Sequence, residues 1–142
     1  GLNSIKNIVR QTVHLCRENQ VTLMLNCPDE IKINVIENIH LNSSKLKACI
    51  ARPDCVLLSA SCHNSEELLK AVELGVDFTY LSPVKVTSSH PEALPLGWDN
   101  FSELMENINI PVYALGGVTE QNLADARRAG AQGIAGISVF WG

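Results

Sequence analysis

Hydrophobic and polar positions follow two alternating patterns along the chain. Short runs of aliphatic and β-branched residues recur throughout the sequence, and between them apolar residues return every three to four positions. The runs predict strands that are buried on both faces, and the longer spacing predicts amphipathic helices. Strands and helices in alternation are typical of repeated βα units with a parallel sheet.

The two patterns predict six strands, each followed by a helix or by a chain end. The strands are expected at residues 21–25, 39–41, 56–60, 78–81, 112–115 and 133–135. The helices are expected at residues 5–19, 29–38, 43–50, 65–74, 98–107 and between Thr119 and Gly130. Local end signals support several of these helices. Asn64 and Glu67 have the spacing of a capping box, Gly75 supplies a left-handed stop, and Asp99 and Thr119 are expected caps.

Six βα units in 142 residues limit the choice of fold. Eight units close a TIM barrel in about 250 residues. We therefore expect an α/β fold, a (β/α) TIM barrel that is truncated and lacks its first βαβ segment. An open doubly wound sheet is the alternative, but its usual Gly-x-Gly-x-x-Gly turn after the first strand is absent.

Composition narrows the function classes. The chain has a net charge of -4, and its basic residues are scattered except at Arg127 and Arg128, so no nucleic acid partner is expected. It has neither an apolar run long enough to cross a bilayer nor the residue order of a signal peptide. Its five cysteines lack a metal or disulfide pattern. These features predict a single cytoplasmic domain over residues 1–142 with reduced cysteines and no membrane partner.

Candidate chemistry lies where the predicted strands end. Gly116-Gly117 and Gly136 follow the last two strands, where backbone amides commonly bind phosphate, although a Gly-Gly pair also forms plain turns. His63 precedes a helix N-terminus, which favours a neutral imidazole able to act as a base; a capping-region histidine bonded to backbone is the alternative.

Several other polar residues have simpler expected roles. Ser61, on the same strand end, is expected to donate a hydrogen bond, and Asn26 offers a donor and an acceptor to a polar ligand. His40, His90 and Cys62 have no metal-ligand spacing and are expected to be structural. The loop over residues 82–97 is long for a βα connection, and such loops commonly carry function.

The sequence resembles the thiamine phosphate synthase family and its thiazole tautomerase relatives over nearly its whole length. The resemblance rests on Ser61-Cys62-His63-Asn64-Ser65-Glu66-Glu67, Val76-Asp77-Phe78, Ser82-Pro83, Thr87, Pro95-Leu96-Gly97, Pro111-Val112-Tyr113-Ala114-Leu115-Gly116-Gly117-Val118 and Ala129-Gly130-Ala131-Gln132-Gly133-Ile134-Ala135. A finer similarity is to the synthase-like domain fused behind MutT-type Nudix hydrolases, which act on oxidised nucleotides. It rests on Cys62 before the histidine, Ser89-His90-Pro91, Leu96-Gly97-Trp98 and Trp141.

The resemblance implies roles for individual residues. The phosphate of a thiazole phosphate type of ligand would be held by Gly116, Gly117, Gly136 and Ser138. Ser61 would lie beside a reacting pyrimidine, and His63 would act as acid and base. The remaining substrate contacts would come from Asn26, Ser82, Thr87 and His90.

Departures from the family pattern argue against synthase activity. The family binds magnesium pyrophosphate through an Asn-Asp pair, a second aspartate and a loop lysine, and these positions read Asn26-Cys27, Lys45 and His90 here. A thiol and an ammonium group are poor ligands for Mg²⁺, so we expect no cofactor in this chain.

We therefore expect a synthase-like domain that binds a small phosphorylated heterocycle and is degenerate as a synthase. The alternatives are a thiazole phosphate tautomerase using His63 and a non-catalytic sensor or scaffold module. The resemblance also implies an N-terminal Nudix domain in the parent protein. Open barrel edges predict association with a second copy.

Overall fold

Five parallel strands form one sheet in the computed structural model, which describes residues 1–26, 37–88, 91–138 and 140. The strands are β1 (Asn38–Leu41), β2 (Leu57–Cys62), β3 (Phe78–Leu81), β4 (Val112–Leu115) and β5 (Gly133–Ala135). The helices are α1 (Leu2–Glu18), α2 (Ser43–Ala48), α3 (Ser65–Leu74), α4 (Gly97–Met105) and α5 (Leu123–Arg128), with a 3₁₀ turn at Glu120–Asn122 before the last.

The order of the strands in the sheet is the order of the strands in the chain. Each strand pairs in parallel with the next, from β1 to β5. In a doubly wound sheet the order of the strands reverses at a switch point. In a barrel each new strand is added beside the previous one. The predicted (β/α) barrel fragment is therefore confirmed, and the doubly wound alternative is excluded.

The two faces of the sheet differ in chemistry. On β2, Leu58, Ala60 and Cys62 are fully buried in the apolar core together with residues of α3 and α4. Ser59 and Ser61 alternate with them and so face the other side of the sheet. Alternate residues of β2 thus pack in the apolar core and line the inner face of the barrel.

Thr79 and Cys62 join β3 to β2 by side-chain hydrogen bonds. The Thr79 hydroxyl donates to the carbonyl of Ala60 at 2.6 Å, so the Cys62 thiol donates to the Thr79 Oγ1 at 3.1 Å. Burial raises the pKa of the Cys62 thiol to about 11. This cysteine is a core residue, as its sequence position predicted.

The end signals of α3 are largely confirmed. The helix has the predicted bounds, Asn64 Oδ1 accepts a hydrogen bond from the Glu67 amide, and Gly75 adopts the left-handed conformation. The Glu67 carboxylate, however, accepts from the amide of His63 rather than from that of Asn64. The prediction for Asp99 was wrong, because α4 begins at Gly97 and Asp99 lies inside its first turn.

The first predicted strand is the main error in the fold. Residues 21–25 form no regular strand, and a single parallel bridge joins Leu25 to Ile39. Leu25 makes two backbone hydrogen bonds to β1, its amide donating to the Asn38 carbonyl and its carbonyl accepting from the His40 amide, and the described residues continue this pairing no further. The helix predicted over residues 29–38 falls mainly on residues 27–36, outside the described residues, and Asn38 belongs to β1. Within the described residues, no helix is long and apolar enough to cross a membrane.

Candidate functional site

The carboxyl ends of the strands bring the predicted site residues to one edge of the sheet. Cys62 pairs with Leu81, so the next residues along the two strands, His63 and Ser82, are neighbours. Leu115 pairs with Ala135, so Gly116 and Gly136 follow at the same level. This is the edge at which (β/α) barrels bind their ligands.

The His63 ring is held by Ser82 through one ring nitrogen. Its ring Nδ1 lies 2.9 Å from the carbonyl oxygen of Ser82 and 3.3 Å from the Ser82 hydroxyl. A carbonyl oxygen can only accept, so Nδ1 carries the proton in this contact and Nε2 of a neutral ring is unprotonated. The side chain is exposed. In the neutral ring, His63 therefore offers Nε2 as an acceptor at the carboxyl ends of the strands, while Ser82 holds the ring.

Glu67 anchors the segment that carries His63. Its side chain is only 2% exposed, and its carboxylate accepts from the His63 amide at 2.8 Å, the Ser43 hydroxyl at 2.6 Å and the Lys47 ammonium at 2.7 Å. Burial acts to raise the pKa of Glu67. The hydrogen bonds from Lys47, Ser43 and His63 and the Lys47 charge outweigh it, so the pKa lies below its ordinary value. Glu67 thus ties α2 and α3 to the histidine loop.

His40 connects two serines on the inner face. Its Nδ1 lies 2.8 Å from the Ser59 hydroxyl oxygen, and its Nε2 lies 2.9 Å from the Ser61 hydroxyl oxygen. Burial lowers the pKa of His40, which favours the neutral ring. His40 was expected to be structural, and its contact with two serines was not predicted. Strand parity was the available signal, because His40 pairs with Ser59 across β1 and β2.

Aromatic residues continue the inner face beyond these serines. Tyr80 pairs with Ser61 and with Tyr113 in neighbouring strands. The Tyr80 ring centroid lies 5.6 Å from that of His40 and 6.1 Å from that of Tyr113. Burial, and secondarily Tyr113, raises the pKa of Tyr80, so its hydroxyl stays neutral. The inner face therefore combines aromatic surface with neutral hydrogen-bonding groups.

The glycine pair is required by the loop that packs on it. Gly117 has φ +64°, and a Cβ at this position would lie 2.3 Å from the carbonyl oxygen of Val86. Gly116 has φ +94°, and a Cβ there would lie 2.8 Å from the Cα of Pro83. Packing against residues 83–86 is thus a reason for both glycines that is independent of any ligand.

Three amides near this turn have no backbone acceptor among the described residues. The backbone amide of Lys85 donates to the Gly116 carbonyl. Within the described part of the chain, however, no backbone carbonyl accepts from the amides of Gly117, Gly136 or Ile137. Gly136 is half-buried and Ser138 is exposed. Amides without partners at adjacent strand ends are suited to binding an anion.

The remaining predicted site residues are more peripheral. Asn26 is exposed and directly follows the Leu25 bridge beside β1, and Thr87 is half-buried in the loop after β3. His90 lies outside the described residues. The structure therefore brings His63 beside Ser82, and the residues that follow Ser82 pack on Gly116 and Gly117.

The donor set does not fit magnesium. Among the described residues, no group of three His, Cys, Asp or Glu side chains could hold a metal ion. Lys45, in α2, places an ammonium group where the resemblance implies a carboxylate. Positive charge at this position opposes a divalent cation.

A parallel sheet whose strand order follows the chain order, with glycines and a histidine at the carboxyl ends of its strands, defines a fragment of a (β/α) barrel. The profile described as thiamine monophosphate synthase matches residues 2–140. The chain belongs to this family.

Individual relatives agree with that assignment. The chain is 35% identical over 137 residues to putative thiamine-phosphate synthase 2 of Aquifex aeolicus, covering 94% of this chain and 73% of that protein. It is 34% identical over 129 residues to thiamine-phosphate synthase of Chloroflexus aurantiacus, covering 88% and 60%. The structure of thiamine phosphate pyrophosphorylase from Pyrococcus furiosus shares the fold, with a TM-score of 0.70, 20% identity and coverage of 96% and 67%. The chain thus spans about three fifths to three quarters of the length of these relatives.

Proposed function

We propose that this domain binds a small phosphorylated heterocycle of the thiazole phosphate type at the carboxyl ends of β2 to β5. The observation that carries the proposal is the set of amides at Gly117, Gly136 and Ile137, which follow two paired strands and donate to no backbone carbonyl of the described residues. A phosphate has enough acceptor oxygens to satisfy several of these amides at once. The exposed hydroxyl of Ser138 adds a further donor beside them.

The heterocycle would lie against the inner face of the sheet. Tyr80 and Tyr113 offer aromatic surface, and Ser61 offers a hydroxyl at the level of Tyr80. Ligand sites of this kind combine apolar walls with a few fixed polar groups. The heterocycle would therefore bind beside Ser61, Tyr80 and Tyr113, and the phosphate would bind at the amides that follow β4 and β5.

We also propose that synthase activity has been lost in this chain. Pyrophosphate needs a divalent cation or several cationic donors to be bound tightly. Lys45 replaces a carboxylate of the family pattern, so magnesium pyrophosphate lacks a ligand there. Fusion to a Nudix domain stays a prediction. The two relatives described above are named as synthases, and neither name mentions a Nudix domain.

Calorimetric titration tests the proposed ligand. Thiazole phosphate is expected to bind alone, and pyrimidine pyrophosphate with Mg²⁺ is expected not to bind. Gly117→Ala is expected to abolish binding of thiazole phosphate, because the new Cβ would displace the loop from the strand end. Gly75→Ala is the matched control, since Gly75 is also left-handed but ends α3 with open space around it. Binding of both ligands would contradict the loss of synthase activity, and binding of neither would contradict the ligand assignment.

A second candidate function is isomerisation of thiazole phosphate, with His63 moving the proton. The contact between Nδ1 and the Ser82 carbonyl favours it, because this contact leaves Nε2 as the free base. His63→Gln is expected to abolish tautomerisation while thiazole phosphate still binds. His14→Gln, an exposed histidine on α1, is the control. An unchanged rate in the His63 variant would exclude His63 as the group that moves the proton. Binding of thiazole phosphate without tautomerisation by the unsubstituted protein would favour a non-catalytic sensor or scaffold module instead.

A further inference from the structure

Ser59, His40 and Ser61 form a hydrogen-bonded chain on the inner face of the sheet. His40 lies between the two serines, with 2.8 Å from Nδ1 to the Ser59 oxygen and 2.9 Å from Nε2 to the Ser61 oxygen. Ser59 is fully buried, whereas Ser61 is half-buried near the ligand edge. The chain therefore runs from the interior toward the proposed site.

The protons of this chain can be placed by counting donors and acceptors. Within the described residues, Nδ1 of His40 is the recorded partner of the Ser59 hydroxyl. A buried hydroxyl proton without an acceptor is costly, so Ser59 donates to Nδ1. A neutral imidazole carries one ring proton, which must then be on Nε2. Nε2 donates it to the Ser61 oxygen, and the Ser61 proton remains available.

We propose that His40 is a positioning residue that, set by Ser59, orients the Ser61 hydroxyl as a hydrogen-bond donor to a ligand. This proposal rests on the proposed function and sharpens it. The ligand atom at Ser61 must be an acceptor, such as an unprotonated ring nitrogen or an anionic oxygen. With Nε2 protonated, His40 cannot take the Ser61 proton, so Ser61 is a donor and not an activated nucleophile.

The groups around His40 are consistent with a neutral ring. The facing side chains are the two serine hydroxyls and the edge-on ring of Tyr80, whose hydroxyl burial keeps neutral. A second proton would have to be added at Nδ1. It would turn an acceptor toward Ser59 into a donor and leave the buried Ser59 proton without a partner. Protonation of the His40 ring at low pH would therefore break the hydrogen-bonded chain from Ser59 through His40 to Ser61.

Nuclear magnetic resonance of the protein labelled with ¹⁵N in histidine tests the proton placement directly. Correlating ring nitrogens with carbon-bound ring protons distinguishes a protonated Nε2 from a protonated Nδ1. We expect His40, assigned by its absence in His40→Gln, to be protonated at Nε2 near neutral pH. A protonated Nδ1 in the unsubstituted protein would overturn the proposal.

Two serine variants form a matched pair for the same measurement. Ser59→Ala removes the donor to Nδ1 and is expected to abolish the preference for the Nε2 proton. Ser61→Ala leaves that donor in place and is expected to keep the preference. Equal behaviour of the two variants would contradict control by Ser59.

The proton placement and the proposed function fail in different experiments. The tautomer is read without any ligand, so it stands or falls independently of the thiazole phosphate titration. Where thiazole phosphate binds, Ser61→Ala is expected to weaken its affinity by about tenfold, as for one lost hydrogen bond to a ligand. An unchanged affinity would overturn the role of Ser61 as donor.

Discussion

The N-terminal region and the βα units from β2 onward use similar apolar residues with different results. In α1, Leu15 is 60% exposed, and Val21 after it is 58% exposed. In the later units, Leu58 on β2 and Val112 on β4 are almost completely buried. A cavity of about 300 Å³ lies between α1 and the amino ends of β1 and β2, lined by Val13, Leu25 and Leu57 among others.

The difference shows that an apolar run becomes a strand only where neighbours on the sheet complete it. Residues 112–115 have β3 on one side and β5 on the other, whereas residues 21–25 are joined to β1 by a single bridge. Sequence pattern supplies the apolar surface, and tertiary partners decide whether it is buried. The two regions should therefore respond differently to the same substitution.

Leu58→Ala against Leu15→Ala is expected to give the largest contrast. Truncating the fully buried Leu58 should lower the free energy of unfolding by about 2–5 kcal/mol, because it leaves a cavity in the core. The same change at the exposed Leu15 should alter it by less than about 0.5 kcal/mol. Urea denaturation measures both, and equal losses would erase the proposed difference between the regions.

Gly117→Ala is expected to have the next largest effect on stability. The left-handed conformation alone costs an L-residue about 1–2 kcal/mol, and the clash with the Val86 carbonyl adds to it. Gly75→Ala should show the conformational cost without a clash, since nothing lies within 4 Å of its new Cβ. Thermal unfolding compares them. A Gly75 variant as unstable as the Gly117 variant would argue against close packing of the loop.

Glu67→Gln is expected to lower the free energy of unfolding by about 1–3 kcal/mol, since buried donors lose their charged acceptor. Because the folded pKa of Glu67 lies below its ordinary value, its contribution is complete above that ordinary value and is lost as pH falls through the folded one. In the variant, the free energy of unfolding should therefore fall less steeply with decreasing pH than in the unsubstituted protein. Glu66→Gln, an exposed neighbour, should leave that pH dependence unchanged.

Arg17→Ala is expected to have the smallest effect. Its guanidinium lies 2.7 Å from Glu37 and links α1 to the start of β1, but both side chains are more than half exposed. Such pairs contribute about 0.2–1 kcal/mol, and salt screens them. The loss should disappear in urea denaturation at high salt. Arg10→Ala on the same helix is the control, and a large loss that persists in salt would indicate tighter packing of α1 than the exposure suggests.

The fold was predictable from sequence wherever local and tertiary signals agreed. The bounds of α3, β3 and β4 match their predictions, because caps, glycine stops and flanking turns mark them. Residues 21–25 have the same apolar pattern but few sheet partners, and no local signal reports a missing neighbour. Asp99 was misplaced because an acidic residue suits both a cap and a first turn.

The candidate site was predictable only in part. The glycine pair and His63 were predicted as site residues because they follow strands, where parallel sheets place their ligands, and the structure places them after β4 and β2. His40 was missed because its role depends on the register between β1 and β2, which pairs it with Ser59. Glu67 was assigned to a helix cap, and its link to the His63 amide required the three-dimensional course of the loop.

The buried thiol of Cys62 makes this residue an internal reporter of opening. A thiol with a pKa of about 11 is almost entirely protonated near neutrality, and its hydrogen bond to Thr79 lies beneath the helical layer. Alkylating reagents attack the thiolate, so they reach this sulfur only after β2 separates from its covering helices. The rate at which Cys62 is alkylated therefore reports how often the core opens at β2, the strand that also carries Ser61.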